Sequence, residues 1–365
     1  MNSVYSRRTC NLLVFGVLIG VAIKLFEVSI LGQIDPGTVD LTWSKLPPLP
    51  DNHGFAGAFA GVSNGALIVA GGANFPEKPP WEGGKKIWTD KIFVLERPGS
   101  EWKSGFTLPF PNGYGVSVTT DRGLLCIGGA DADKHYADVF LLEWVKGKIK
   151  RTPLPSLPKP LAYASGARVG NTIYIAGGTE TPTSTVALKG FWSLDLAQRN
   201  ARWKELEPWP GPGRLLSVSG SHGRGFYVFS GASLSSDTTG KPLRTYLKDA
   251  YRFLPETGWQ KLADLPHSVT AAPTPAASVK GSRLIIIGGD DGTKAGFQPI
   301  ERHPGFARRI LSYEIRTDTW ADAGTTPATH VTTSSVRWHG GFVIPSGEIR
   351  PGVRSPEVWF VRGVR

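Results

Sequence analysis

Two cysteines stand in the 365 residues, too few for a covalent framework. Cys10 lies at the edge of an N-terminal apolar segment and Cys126 inside a run that reads as a buried strand. A product that had lost its N-terminus could therefore form no internal disulfide, and a cysteine-built metal site is excluded. Histidines are few and scattered, with no ligand cluster among the seven. No stretch after residue 33 carries a convincing helical period, which argues against an α or α/β fold. The longest apolar run, Cys10–Ile23, falls short of the ~20 residues that span a bilayer unless it continues across Lys24 and Glu27. A net charge of +11 raises the question of a polyanionic partner. The basic residues are dispersed, however, in small clusters such as Lys146–Arg151, and no DNA- or RNA-binding motif accompanies them. No nucleic-acid partner is expected.

What the chain has in quantity is glycine, 45 residues, and proline, 29 residues, placed between short apolar runs that read as strands. One pattern recurs six times. An apolar run ends in a small-residue–Gly pair, a loop follows, and a second apolar run resumes. The pairs end at Gly72, Gly129, Gly178, Gly231, Gly289 and Gly347, spaced 49 to 58 residues apart. Each run is preceded by a segment of small residues, for example Gly57–Val62 and Gly115–Thr119, suited to a crowded axis. A tryptophan such as Trp203, Trp259 or Trp320 often follows, opening an outer strand whose indole is expected to cover the next blade. Six units of this length indicate a propeller with one four-stranded sheet per blade. The last copy runs out of chain before its outer strand, while Leu41–Pro50 is an unassigned strand at the other end. The N-terminal strand is therefore expected to complete the last blade and remove an exposed edge.

Residues 1–33 read differently. Arg7 and Arg8 precede the apolar run, as in a secretory signal, but no A-x-A cleavage site is present. The expectation is a signal peptide or an uncleaved signal anchor over residues 1–33, with a propeller over residues 38–365. That places the protein outside the cytoplasm, in a periplasm or cell envelope, with membrane anchoring through the N-terminal segment as an option. Oligomeric state is left open.

The apolar run, glycine pair and spaced aromatics resemble kelch repeats, so the fold class is all-β, a six-bladed kelch-type propeller. Two loops depart from the plain repeat. One is the long Pro-rich, basic excursion after Ala70-Gly71-Gly72-Ala73-Asn74-Phe75, which carries Lys85 and Lys86; the other is Ser346–Arg354, S-G-E-I-R-P-G-V-R. Together with Tyr114-Gly115-Val116-Ser117 they resemble the sialic acid (N-acetylneuraminate) mutarotase, or epimerase, family, in a cyclically permuted arrangement. The resemblance implies an isomerase that interconverts the α and β anomers of N-acetylneuraminate or a related acidic keto sugar. It implies Glu348 as the catalytic residue and Arg354 as a substrate-binding residue, with Arg350, Asn74 and Lys86 as further substrate-binding candidates.

That chemistry suits those side chains. Anomerisation takes a proton from the anomeric hydroxyl and gives one to the ring oxygen, work for a carboxylate. A guanidinium can grip the sugar's carboxylate through two parallel hydrogen bonds. No cofactor and no metal is required. Each residue also has an ordinary reading. An acid after a glycine turn can merely bond its own loop, and Asp290 holds the corresponding place after Gly289. Lys85 and Lys86 could form a solvated face, and His330, ahead of an inner strand, could be structural or reach the axis. The competing function is a non-catalytic kelch platform that binds carbohydrate or a protein partner. A copper radical oxidase is disfavoured, because it needs a Tyr, Cys and His set that Cys126 is poorly placed to join.

Overall fold

In the computed structural model, described for residues 39–279 and 281–363, six four-stranded antiparallel sheets make a β-propeller. These residues belong to the unit Pro36–Arg365; the expected signal segment lies outside the described residues. Among the described residues no helix is long and apolar enough to cross a membrane. The first blade shows the plan. Its strands are Phe59–Ser63, Ala66–Ala70, Lys91–Leu95 and Lys103–Thr107, paired in that order from the inside out. The second strand of each blade is buried on both faces, Leu67 and Ile68 fully, which explains its unbroken hydrophobicity. The apolar clusters lie between successive blades, as where Val69 and Phe93 of the first blade meet Val343 and Phe360 of the last.

Closure follows the expected route. The last blade is ordered Leu41–Leu46, Val358–Gly363, Gly341–Pro345, Val336–Trp338, and the N-terminal strand pairs with Val358–Gly363 from Leu41↔Gly363 to Leu46↔Val358. The outer tryptophans point the other way from the sequence reading. Trp102 donates its indole N–H to Pro47 O, Trp203 to Pro155 O, Trp259 to Glu207 O and Trp320 to Ala263 O, at 2.8–2.9 Å. Each thus covers the blade before it in the chain, not the next. The segment leaving an outer strand cannot continue a ladder and leaves carbonyls free, and these accept the indole.

A second closure runs round the axis. Six residues, one per blade, adopt positive φ: Gly57 (69°), Tyr114 (60°), Tyr163 (59°), Leu216 (54°), Ala271 (60°) and Thr332 (51°). The backbone N–H of each donates to the carbonyl of its equivalent in the preceding blade. The chain of bonds runs Tyr114→Gly57, Tyr163→Tyr114, Leu216→Tyr163, Ala271→Leu216, Thr332→Ala271 and Gly57→Thr332, at 2.6–2.8 Å. Six donors meet six acceptors in a closed cycle, so the innermost backbone is satisfied without a further sheet.

One buried titratable group lies close to this ring. His330 is 5% exposed, and its Nε2 has no hydrogen-bond partner among the described residues. Burial pushes its pKa down to about 4, with nearby Glu357 opposing. The unfolded chain takes up a proton near pH 6.5, whereas the folded chain does so only near pH 4, so stability is lost as pH falls between the two. In urea titrations the wild type should lose about 3 kcal/mol more between pH 7 and pH 4 than His330→Gln; equal losses would remove His330 from the acid response. The axial ring makes its own prediction. Ala271→Pro loses the N–H to Leu216 O and cannot reach φ 60°, so its thermal midpoint should fall by the equivalent of about 3 kcal/mol or more. Ala271→Gly, freed of the left-handed strain of about 1–2 kcal/mol, should hold or raise it.

Candidate functional site

The six-fold repeat places one side chain per blade at the mouth of the axis. The residue before each ring member pairs with the residue after each glycine pair, in the bridges Ala56↔Ala73, Gly113↔Ala130, Ala162↔Thr179, Leu215↔Ala232, Thr270↔Asp290 and Val331↔Glu348. At this one structural position the blades carry Ala, Ala, Thr, Ala, Asp and Glu. The three long enough to reach inward, Thr179, Asp290 and Glu348, line a single cavity of about 590 Å³. Beneath it the axis narrows to a pocket of about 60 Å³ lined by small residues such as Gly115, Ser165, Gly166 and Ala272.

The walls come from the connections between second and third strands, which are enlarged in several blades. The first blade sends out Ala73–Asn74 and Ile87–Trp88 with a short turn Pro80–Glu82 between them; the fourth sends out the hairpin Ala232–Ser236 and Pro242–Tyr246. The last sends out Glu348–Arg350 and Val353–Arg354. The spacing of the last motif now has a cause. Gly347, at φ 118°, lets the chain leave the sheet, and Pro351-Gly352, with Gly352 at φ 79°, reverses it. The reversal sets Glu348 opposite Arg354 in the register. Gly352 donates its N–H to Glu348 Oε1 at 2.7 Å, and a β-carbon at Gly352 would stand 2.6 Å from Pro80 Cγ, so the hairpin seats against the first blade's excursion.

Arg354 is the best-defined group in the cavity. Its side chain is 5% exposed, Nη1 lies 3.2 Å from Glu348 Oε1, and its guanidinium carbon sits 4.7 Å over the Phe75 ring. The contact to Glu348 is within ion-pair range but is not aligned as a hydrogen bond, and among the described residues Nε and Nη1 donate to no acceptor. Lys86 stands beside this pair, with Nζ 4.5 Å from the Trp88 ring and 4.9 Å from the Tyr114 ring. Burial, then the Arg354 charge, lowers its pKa below 10.5, with Glu348 opposing. Burial likewise raises the Tyr114 hydroxyl above the usual phenol range, against the pull of Arg354.

Of the sequence candidates, then, Glu348, Arg354 and Lys86 converge on one cavity. Arg350 and Asn74 are not among its lining residues. The Arg350 guanidinium donates to Glu301 O and lies 5.5 Å over the Trp81 ring, tying the last hairpin to its neighbours. Asn74 is 6% exposed and donates to Gly54 O at 3.0 Å, bracing the root of its excursion.

Sequence reasoning missed the opposite wall. Tyr246 donates its hydroxyl to Asp290 at 2.8 Å, and the Gly292 N–H donates to the other carboxylate oxygen at 3.0 Å. Lys294 donates to Gly305 O, Arg244 also faces the cavity, and His303, whose pKa is lowered by burial and then by the Lys294 charge, closes that side. The clue to Asp290 was its place after Gly289. The clue to Tyr163, which packs 5.0 Å from Tyr114, was its matching place in the small-residue segment. Four cationic side chains, Lys86, Arg244, Lys294 and Arg354, thus face two carboxylates. This arrangement suits an anionic ligand with several hydroxyls. Among the described residues no group of three potential metal ligands occurs.

Comparison with known proteins agrees with this architecture. A solved structure titled "Structure of YjhT" superposes with a TM-score of 0.62, covering 86% of this chain and 96% of that one at 16% identity, a likeness of fold. An N-acetylneuraminate epimerase of Vibrio cholerae serotype O1 is 36% identical over 142 residues, covering 32% of this chain and 36% of that protein. Others are the N-acetylneuraminate epimerases of Yersinia enterocolitica, 26% identical over 237 residues and 56% of each chain, and of Haemophilus influenzae, 28% identical over 229 residues, 56% of this chain and 57% of that one. The chain therefore spans between about a third and just over half the length of these curated relatives. The family model described as N-acetylneuraminate epimerase matches residues 28–150 and 154–298, more than half of the chain, and ends before Glu348 and Arg354. On that match the chain belongs to the N-acetylneuraminate epimerase family.

Proposed function

We propose that the protein is a mutarotase acting at the anomeric centre of N-acetylneuraminate or a closely related acidic keto sugar, and that it works outside the cytoplasm. The observation that carries the reading is the Glu348–Arg354 pair: a carboxylate beside a nearly buried guanidinium, two of whose nitrogens have no acceptor among the described residues, in a cavity with a cationic surplus. A substrate carboxylate entering the cavity would pair with the Arg354 guanidinium that lines it. Glu348, at the rim of the same hairpin, then stands next to the carbon that bears that carboxylate, which in a 2-keto acid sugar is the anomeric carbon. It can take the proton of the anomeric hydroxyl as the ring opens and return it after closure on the other face.

The test is the rate at which freshly released α-N-acetylneuraminate becomes the β anomer, followed by NMR. Wild type should exceed the spontaneous rate, and Glu348→Gln should lose about 10²-fold or more of kcat. Arg354→Lys, with the charge kept but the fork lost, should raise KM about tenfold or more with a smaller change in kcat. A wild type at the spontaneous rate that still binds sialylated glycans would instead establish a binding platform.

A further inference from the structure

Opening a cyclic hemiketal needs proton transfers at two oxygens bonded to one carbon: one from the anomeric hydroxyl, one to the ring oxygen. Glu348 sits where it can serve the first. A carboxylate that starts ionised can give the ring oxygen only a proton it has already taken, whereas a second group already protonated can act in the same step. The cavity holds few such donors. Arginine does not release its proton in proteins, which removes Arg244 and Arg354. Tyr246 already donates to Asp290, burial raises the Tyr114 and Tyr163 hydroxyls above the usual phenol range, and burial lowers the pKa of His303, which accepts from the Gly305 N–H. Lys294 is tied to Gly305 O on the far wall.

Lys86 differs from all of these. Among the described residues it makes no hydrogen bond and no ion pair. Two aromatic faces, Trp88 and Tyr114, hold its ammonium without using its N–H bonds. Charged or titratable groups act on it from every packed side: Glu348 and Arg354 from the last hairpin, and Tyr114 from the second blade, with Tyr163 behind it.

Resting on the mutarotase reading, we infer that Lys86 is a catalytic acid, which protonates the ring oxygen while Glu348 deprotonates the anomeric hydroxyl. Glu348 takes the hydroxyl proton, and the O–H electron pair becomes the second bond of the new carbonyl. The bond from the anomeric carbon to the ring oxygen breaks, its pair stays on the ring oxygen, and that oxygen takes a proton from Lys86. Closure on the other face reverses both transfers, so Glu348 and Lys86 end as they began and no co-reactant is consumed. The surroundings fit the task. Burial and then the Arg354 charge favour release of the Lys86 proton, with Glu348 opposing.

The experiment compares wild type, Lys86→Arg, Lys86→Ala and, as a control, the exposed neighbour Lys85→Ala in the NMR anomerisation assay. Lys86→Arg keeps the charge but has no releasable proton, so kcat should fall about 10²-fold with KM within a few-fold. Lys86→Ala should fall similarly and recover with added methylammonium, beyond what the amine does without enzyme. Wild-type kcat should decline on the alkaline side with a midpoint below 10.5 as Lys86 loses its proton, a limb absent from Lys86→Arg. Lys85→Ala should match wild type. Wild-type kcat in Lys86→Arg, or a raised KM with kcat unchanged, would make Lys86 an anchor for the substrate carboxylate and overturn the assignment. So would a loss in both variants with no amine rescue and an unmoved alkaline limb. An inactive wild type overturns the mutarotase reading and this one together; an active wild type with a fully active Lys86→Arg overturns only this one.

Discussion

The closed cycle of six backbone hydrogen bonds round the axis is the constraint on which the rest of the molecule depends. Each blade buries its second strand against its neighbours, but burial alone does not fix how six wedges meet. The cycle does. It requires one residue per blade at φ between 51° and 69°, and five of the six are not glycine. Left-handed backbone at a threonine or a leucine is unfavourable in isolation. It persists here because each such residue both donates and accepts within the cycle, and leaving one pair unmade in that buried position would be more costly still. Strain at each blade is thus held by bonds to the two adjacent blades, so the ring forms as a whole.

The same cycle gives the site its precision. The residue before each ring member is locked into the bridge to the residue after the glycine pair, and the first strand of the blade begins further along the chain. A side chain at that bridged position therefore projects over the axis from a rigid base, which functional groups need more than they need proximity. Symmetry supplies six such positions, and chemistry uses them unequally. Alanine at three of them keeps the space open, while Asp290 and Glu348 occupy adjacent blades. The excursions break the symmetry further, and they brace one another: Pro80 packs over Gly352, Trp81 under Arg350, and Phe75 under Arg354. Arg350 and Asn74, which the motif brought forward as ligand contacts, belong to this bracing.

The fold was legible because its signals are local and repeated. A run of apolar residues closed by glycine has one reading when it recurs six times, and the unpaired strand at Leu41–Leu46 had one place to go. Glu348 and Arg354 were legible because a two-strand hairpin with a Pro-Gly turn converts sequence spacing directly into cross-strand contact. The far wall was not. Asp290, Tyr246 and Lys294 lie in two different blades, 44 residues separating Tyr246 from Asp290, and their meeting depends on how long excursions fold back. No spacing rule encodes that. The direction of the outer tryptophans was misread for a related reason: apolar surface is available on both sides, and the choice is made by free carbonyls that appear only once the preceding blade has ended.

A nearly buried guanidinium with open donors is an unfavourable thing to build, since each unmet donor forgoes a bond it would make in water. Arg354 is held in that state by the Phe75 face and by a carboxylate that is close but imperfectly aligned. Lys86 is half-buried, set on two aromatic faces, and makes no side-chain hydrogen bond among the described residues. Surface cations would have relaxed onto water, and freely moving ones would have closed on Glu348. Both are prevented because their hairpins are clamped to the ring below and to each other above. Both cations therefore line the cavity as fixed positive charge, and an anion entering it would be drawn to them.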